Sequence, residues 1–160
     1  MYEHVLVGTD GSVTASRAVE AAARLAHAHQ ARLTIVHAFP SAGTRPHVAS
    51  PVPDELSWLQ TPGGAADAVV ASAIGIAQQA ACGALVVDGR AEVGHPRAVL
   101  RALVDELRPD VVVVGNADAR RSLTRRGLGA WLAGRTPADV VIVDTSGDTD
   151  ARSGSTPAAA

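Results

Sequence analysis

The sequence predicts an open α/β fold built on a parallel sheet, and three observations carry that prediction. Short continuous apolar, β-branched runs recur at 4–9, 33–38, 84–93, 111–115 and 140–143. Segments with helical apolar spacing alternate with them. The runs lack the polar alternation of a half-exposed strand, so they suit strands buried on both faces of a parallel sheet joined by right-handed crossovers.

Taken in order, the first run ends at Asp10-Gly11-Ser12, a turn that places Ser12 as the N-cap of a helix. Over 13–29, Ala15, Ala18, Val19, Ala22 and Ala26 share one face, while Arg17, Glu20, Arg24 and His27 share the other. The second strand follows almost at once and completes a βαβ unit by Phe39. Residues 40–64 hold most of the prolines, with glycine, serine and threonine, and read as a long surface loop. Helical spacing resumes at Ala66, Val69, Val70, Ala73, Ala77 and Ala80, ends near Gly83, and leads into the third strand at 84–93.

Gly94-His95-Pro96 sets proline at a first helical position, and Leu100, Leu103, Val104 and Leu107 form a stripe that Arg108-Pro109 ends. Val111 to Val114 with Gly115 is the strongest buried-strand signal, and Leu128, Trp131 and Leu132 predict a short helix before the last strand. The chain therefore reads as one domain over 1–145. The small, polar residues of 146–160 predict a disordered tail.

Composition narrows the function. At 160 residues and 47% hydrophobic, the chain can bury a core without staples. A net charge of −2 gives no basic field for nucleic acid or an anionic membrane, so neither partner is expected. Cys82 is the only cysteine, which excludes an internal disulfide, a CxxC pair and a thiolate zinc site. There is no lysine, and with it go the P-loop lysine and Schiff-base chemistry. The opening residues carry no signal-peptide pattern and no apolar run is long enough to span a membrane, so a cytoplasmic location is expected.

In an open parallel sheet, ligands collect beyond the carboxyl ends of the strands where strand order reverses. The two strands that end in glycine are the first and fourth, and they supply Gly8-Thr9-Asp10-Gly11-Ser12 and Gly115-Asn116-Ala117-Asp118. Val7-Gly8-Thr9-Asp10-Gly11-Ser12 closely resembles the opening of universal stress proteins. Ile35-Val36-His37-Ala38 resembles that family's second strand, Gly94-His95-Pro96 its Gly-x-Pro turn, and Val113-Val114-Gly115-Asn116 the start of its nucleotide loop. These landmarks run in the right order from residue 4 to about 144.

The resemblance implies a five-stranded parallel sheet in order 3-2-1-4-5 with helices on both faces, the adenine-nucleotide alpha hydrolase-like arrangement. It also implies a homodimer, formed in many members through the last strand, here 140–144. It further implies an adenine-nucleotide site, for ATP or cyclic AMP, formed here by Gly8, Thr9, Asp10, Ala38, Val114, Gly115, Asn116, Asp118, Arg125, Arg126, Gly127, Gly129 and Ala130.

In nucleotide-binding members the loop after the fourth strand reads glycine, two residues, glycine, nine residues, glycine, then serine or threonine, so that backbone N–H groups approach phosphates. Gly115 matches the first glycine. Asp118 stands at the second, Leu128 at the third with Gly129 one residue late, and Ala130 replaces the hydroxyl. Asp118 adds like-charge repulsion toward phosphate. Arg120, Arg121, Arg125 and Arg126 are cations that offset it or simply form a solvated face.

Asp10 reads both as a contact to ribose or adenine, by resemblance, and as the residue that caps the turn into the first helix. His37 reads as a hydrogen-bonded core residue. His95 has no partner legible in sequence, and His27 and His29 point to different helix faces, so no metal set is expected. Cys82 reads as a half-buried thiol, and Trp58 and Trp131 as packing or dimer-surface residues. The functional expectation is a stress-response module that senses or sequesters an adenine nucleotide with a degenerate phosphate loop. The alternative is a homodimeric scaffold that has lost the nucleotide. No catalytic residue can be named, so an enzyme is not expected.

Overall fold

The computed structural model describes residues 1–41, 61–82, 84–116 and 127–144. Five strands and four helices follow the order β1 (His4–Thr9), α1 (Val13–His29), β2 (Arg32–Phe39), α2 (Pro62–Ala80), β3 (Val87–Val93), α3 (Pro96–Leu107), β4 (Val111–Asn116), α4 (Leu128–Ala133) and β5 (Asp139–Asp144). The strands form one parallel sheet in order β3-β2-β1-β4-β5, as the resemblance implies.

The continuous apolar runs divide by strand alternation into two cores. Val5, Val7, Leu33, Ile35, Val111 and Val113 face α1 and α2, where they meet Ala18, Val19, Ala22, Ala26, Ala73 and Ala77. Leu6, Val36, Val112 and Val114 face α3 and α4, where they meet Val99, Leu100, Leu103, Val104 and Leu132. The alanine-rich faces of α1 and α2 let both helices lie close to the sheet and to each other.

Helix ends follow local chemistry. Ser12 Oγ accepts from Ala15 N at 3.1 Å and Thr61 Oγ1 accepts from Gly64 N at 3.0 Å, so each caps its helix. That second cap, with proline in the first turn, starts α2 at Pro62. The loop expected over 40–64 therefore gives way to helix three residues early; 42–60 of it lie outside the described residues, as does the tail expected over 146–160.

The third strand also begins later than 84. Leu33 pairs with Val87 and donates its N–H to Val86 O, but β2 starts at Arg32, so 84 and 85 lie beyond the end of β2 and Val86 only opens the ladder. Val86 is 69% exposed there. Cys82 is exposed, not half-buried, because it follows the end of α2 with φ of 54° and leaves the helix face. Among the described residues no helix is long and apolar enough to cross a membrane.

Two polar arrangements fix the amino-terminal end of the sheet. The Asp110 carboxylate accepts from the N–H groups of Glu3 at 2.7 Å and His4 at 2.9 Å, while Asp110 N donates to His4 O, so the starts of β1 and β4 are tied together. These two N–H bonds hold the Asp110 carboxyl below its ordinary range. Next to it, the His4 ring is buried in the sheet and pairs its Nε2 with Thr34 Oγ1 at 2.8 Å.

Burial, followed by the Arg32 charge, lowers the His4 pKa; the Leu107 carbonyl, Asp110 and Asp88 oppose this more weakly. The unfolded chain therefore takes up a proton at His4 near pH ~6.5, where the folded chain does not. The contribution of His4 to stability is complete above that pH and is lost as pH falls below it. We expect the melting temperature of the wild type to drop between pH 7.5 and 5 more steeply than that of His4→Gln, which keeps a partner for Thr34 but cannot titrate. Parallel slopes in thermal unfolding would show that His4 is not the linked group.

Candidate functional site

The site arises from a divergence in the sheet. β1 and β4 pair in register from Val5–Val111 to Val7–Val113, and there the pairing ends, although the strands continue to Thr9 and Asn116. α1 and α2 pack on one face, α3 and α4 on the other. The helices that come next after β1 and β4 in the described structure, α1 and α4, thus lie on opposite faces, the condition that opens a crevice at a switch point. With the other ends of the two strands tied by Asp110, the opening is confined to their carboxyl ends. A cleft of about 230 Å³ lies there.

One wall is the turn after β1. Gly11 takes φ of 78°, which a side chain would strain, and its position close to Val69 leaves little room for a Cβ. Thr9 Oγ1 accepts from Gly11 N at 3.2 Å and Asp10 Oδ1 accepts from Ser12 N at 2.9 Å. Ser12 Oγ, besides capping α1, lies 2.9 Å from Thr14 Oγ1. Successive side-chain-to-backbone bonds therefore hold the turn while Thr9, Asp10, Ser12 and Thr14 face the cleft.

The Asp10 carboxyl is subject to opposing influences. Partial burial is the largest and pushes its pKa up, but hydrogen bonding from Ser12 and from its own backbone, with the nearby His37, together carry it below the ordinary carboxylate range. Asp10 is thus ionised at neutral pH. It is the one ionisable residue among the described residues that line the cleft.

The other walls are apolar: Val36 and Ala38 from β2, Val114 from β4, Pro96 and Leu100 from α3, and Leu128 from α4. Pro96 reaches the cleft because His95 caps α3, its Nδ1 accepting from Arg97 N at 3.3 Å. The Trp131 ring packs against the same core as Leu128, with the guanidinium carbons of Arg97 and Arg135 at 5.7 and 5.2 Å from its centre.

The structure brings Gly8, Thr9, Asp10, Ala38, Val114 and Gly115 to one cleft. Asn116 ends β4 beside Asp144 of β5. Gly127 is the N-cap of α4, Ala130 is exposed on it, and Gly129 is buried against the sheet. A Cβ on Gly129 would stand 2.6 Å from Ile142 Cγ1 and 2.9 Å from Val114 Cγ2, so glycine is required there for α4 to reach β4 and β5. Asp118, Arg125 and Arg126, with Arg120 and Arg121, lie outside the described residues, as does Trp58.

Sequence reasoning put Ser12 in the strand-end segment but not among the nucleotide-site residues, and missed Thr14, Ala15, Val36, Pro96, Leu100 and Leu128 as cleft residues. Part of this was recoverable. Strand alternation puts Val36 on the same face as Ala38, and Leu100 stands one helical turn after Pro96. Nothing in the residue types of Leu128 distinguishes a cleft wall from core.

Comparison with known proteins gives a consistent answer. The sequence model of the Universal stress protein family matches residues 1–143. The chain is 36% identical over 148 residues to the universal stress protein Rv1636 of Mycobacterium tuberculosis H37Rv, covering 91% of this chain and 98% of that one. Among solved structures it is similar to a universal stress protein in complex with cAMP, at 32% identity and a TM-score of 0.70, covering 91% of this chain and 98% of that one. It is also similar to a universal stress protein from Lactobacillus plantarum, at 22% identity and a TM-score of 0.63, covering 89% and 97%, a likeness of fold.

The close approach at Gly129 yields a test. In Gly129→Ala the gain in helix propensity is outweighed by overlap with Val114, which is β-branched and buried, and we expect a net loss of ~1–2 kcal/mol in urea unfolding. A gain in stability would mean that α4 does not lie on β4 and β5 as described.

Proposed function

We propose that this chain, which belongs to the universal stress protein family, binds an adenine nucleotide in the cleft between β1 and β4 and acts as a stress-response sensor or reservoir for it. The observation that carries the reading is the pairing of wall types in one cleft. An apolar slot of Val36, Ala38, Leu100, Val114 and Leu128 faces a fixed polar turn of Thr9, Asp10 and Ser12. A flat, apolar-faced base suits the slot, and a ribose hydroxyl, of which cAMP keeps the 2′ and AMP both, suits an ionised carboxylate held by its own turn. The amino end of the 17-residue α1 opens on the same cleft through Ser12, Thr14 and Ala15, which favours a nearby negative charge. That a relative of 32% identity is described in complex with cAMP supports this chemistry.

The proposed role is binding, not catalysis. Asp10, the single acid at the described cleft, is already engaged by Ser12, which leaves it a poor general base. A lone, free cysteine fits a reducing, cytoplasmic setting. β5 is an edge strand with Val141 and Ile142 at 37% and 46% exposure, which supports a homodimer formed there. The second reading, a scaffold without nucleotide, is favoured by Gly129, whose open side is spent on the sheet, and by Asp118 in the loop sequence.

Calorimetric titration with cAMP, ATP, ADP and AMP tests the first reading. We expect saturable binding of at least one, and roughly tenfold weaker binding by Asp10→Asn, which keeps the size of the side chain but loses the charge. Absence of binding at millimolar nucleotide by both the wild type and Asp118→Gly would leave the scaffold. For the dimer, light scattering is expected to give twice the chain mass for the wild type and a shift toward the monomer for Val141→Asp; a monomeric wild type overturns that part.

A further inference from the structure

The cleft is made on one face of the sheet, yet its polar turn is held from the other. Val36 and Ala38 of β2 line the cleft, so alternation sends His37 to the opposite face, after Leu33 and Ile35 and before Phe39. There the imidazole lies half-buried against the Phe39 ring, with centroids 6.4 Å apart and planes 16° apart. Its Nδ1 lies 2.9 Å from the carbonyl oxygen of Thr9, the last β1 residue in register with β2.

A carbonyl oxygen only accepts, so this contact is a hydrogen bond only when Nδ1 carries the proton. The Thr9 carbonyl shares one planar trans peptide with the N–H of Asp10. Fixing that carbonyl from the β2 side turns the Asp10 N–H away from β2, toward β4, where pairing has already ended. The orientation of this plane sets the direction in which the Asp10 side chain leaves the strand. We propose that His37 is a positioning residue for the nucleotide site: from the far face of the sheet its Nδ1–H fixes the Thr9–Asp10 peptide and so aims Asp10 into the cleft.

This inference rests on the nucleotide reading of the cleft. It adds a residue that does not line the cleft at all. The influence of His37 on the Asp10 carboxyl is consistent with their closeness. The downstream bonds, Thr9 Oγ1 with Gly11 N and Asp10 Oδ1 with Ser12 N, then carry the set position to the cap of α1.

Two measurements test it. Long-range proton–nitrogen NMR on the wild-type chain at pH 8 reads the neutral tautomer directly: we expect His37 as Nδ1–H, and an Nε2–H tautomer overturns the anchoring. Titration with cAMP then compares His37→Asn, whose amide places a donor near the position of Nδ1, with His37→Phe, which keeps the ring but no donor. We expect the asparagine variant to bind within about twofold of wild type and the phenylalanine variant about five- to tenfold more weakly. Equal affinity of the two variants, whether strong or weak, overturns the positioning role while leaving the nucleotide reading intact if the wild type binds. A wild type that binds no nucleotide removes the reading itself, and the tautomer still decides whether the anchor exists.

Discussion

The parting of β1 from β4 after Val7–Val113 is the constraint from which the site follows. Hydrogen bonding holds parallel strands at a fixed spacing, so a crevice between neighbours requires that the ladder stop while the chains go on. Here it stops because α1 departs to one face from β1, and α4 lies on the other face after β4. The Asp110 clamp at the opposite end keeps the strands together there. An opening hinged at one end and free at the other gives a wedge, and the strand termini that line it contribute backbone as well as side chains.

The two cores explain why the wedge is stable. Each central strand, β1, β2 and β4, sends alternate residues to α1 and α2 or to α3 and α4, so neither face of the sheet's centre is left to solvent. Helix packing can then vary on one side without disturbing the other. On the α1 and α2 side small residues dominate and the helices lie close. On the α3 and α4 side the core is built from larger residues, Leu100, Leu103 and Leu132, and the cleft lies beside Leu100.

How much of this was legible in the sequence differs by element. Both-face burial writes itself as unbroken β-branched runs, and so β1, β2 and β4 could be placed within two residues; β5, although an edge strand, kept the same kind of run at Val140-Val141-Ile142-Val143. β3 could not be bounded as well, because an edge strand such as Val87–Val93 carries Asp88, Arg90 and Glu92, and the apolar signal lies partly outside it at Leu85 and Val86. The start of α2 was hidden by Pro62-Gly63-Gly64, a loop composition that Thr61 converts into a helical first turn by capping. Within the site, residues at the strand tips were legible because glycine and aspartate at a strand end are informative. Pro96, Leu100 and Leu128 were not, since an apolar side chain reads the same whether it faces a core or a cleft. The bond from His37 to Thr9 depends on register across β1 and β2, which no single run of residues records.

The His37 contact also bears on why the polar turn sits where it does. A turn at a strand end must settle its backbone groups by side chains, by water or by the neighbouring strand, and each choice gives a different stiffness. Thr9, Asp10 and Ser12 use side chains local to the turn, which would hold its internal shape but leave the whole unit free to pivot about the end of β1. A bond from β2 to the Thr9 carbonyl removes that pivot, because β2 is itself fixed between β1 and β3. The position of Asp10 is thereby tied to the sheet as well as, through Ser12, to the start of α1. A ligand could then draw on an acceptor whose place is set before it arrives, and would lose little freedom in ordering it.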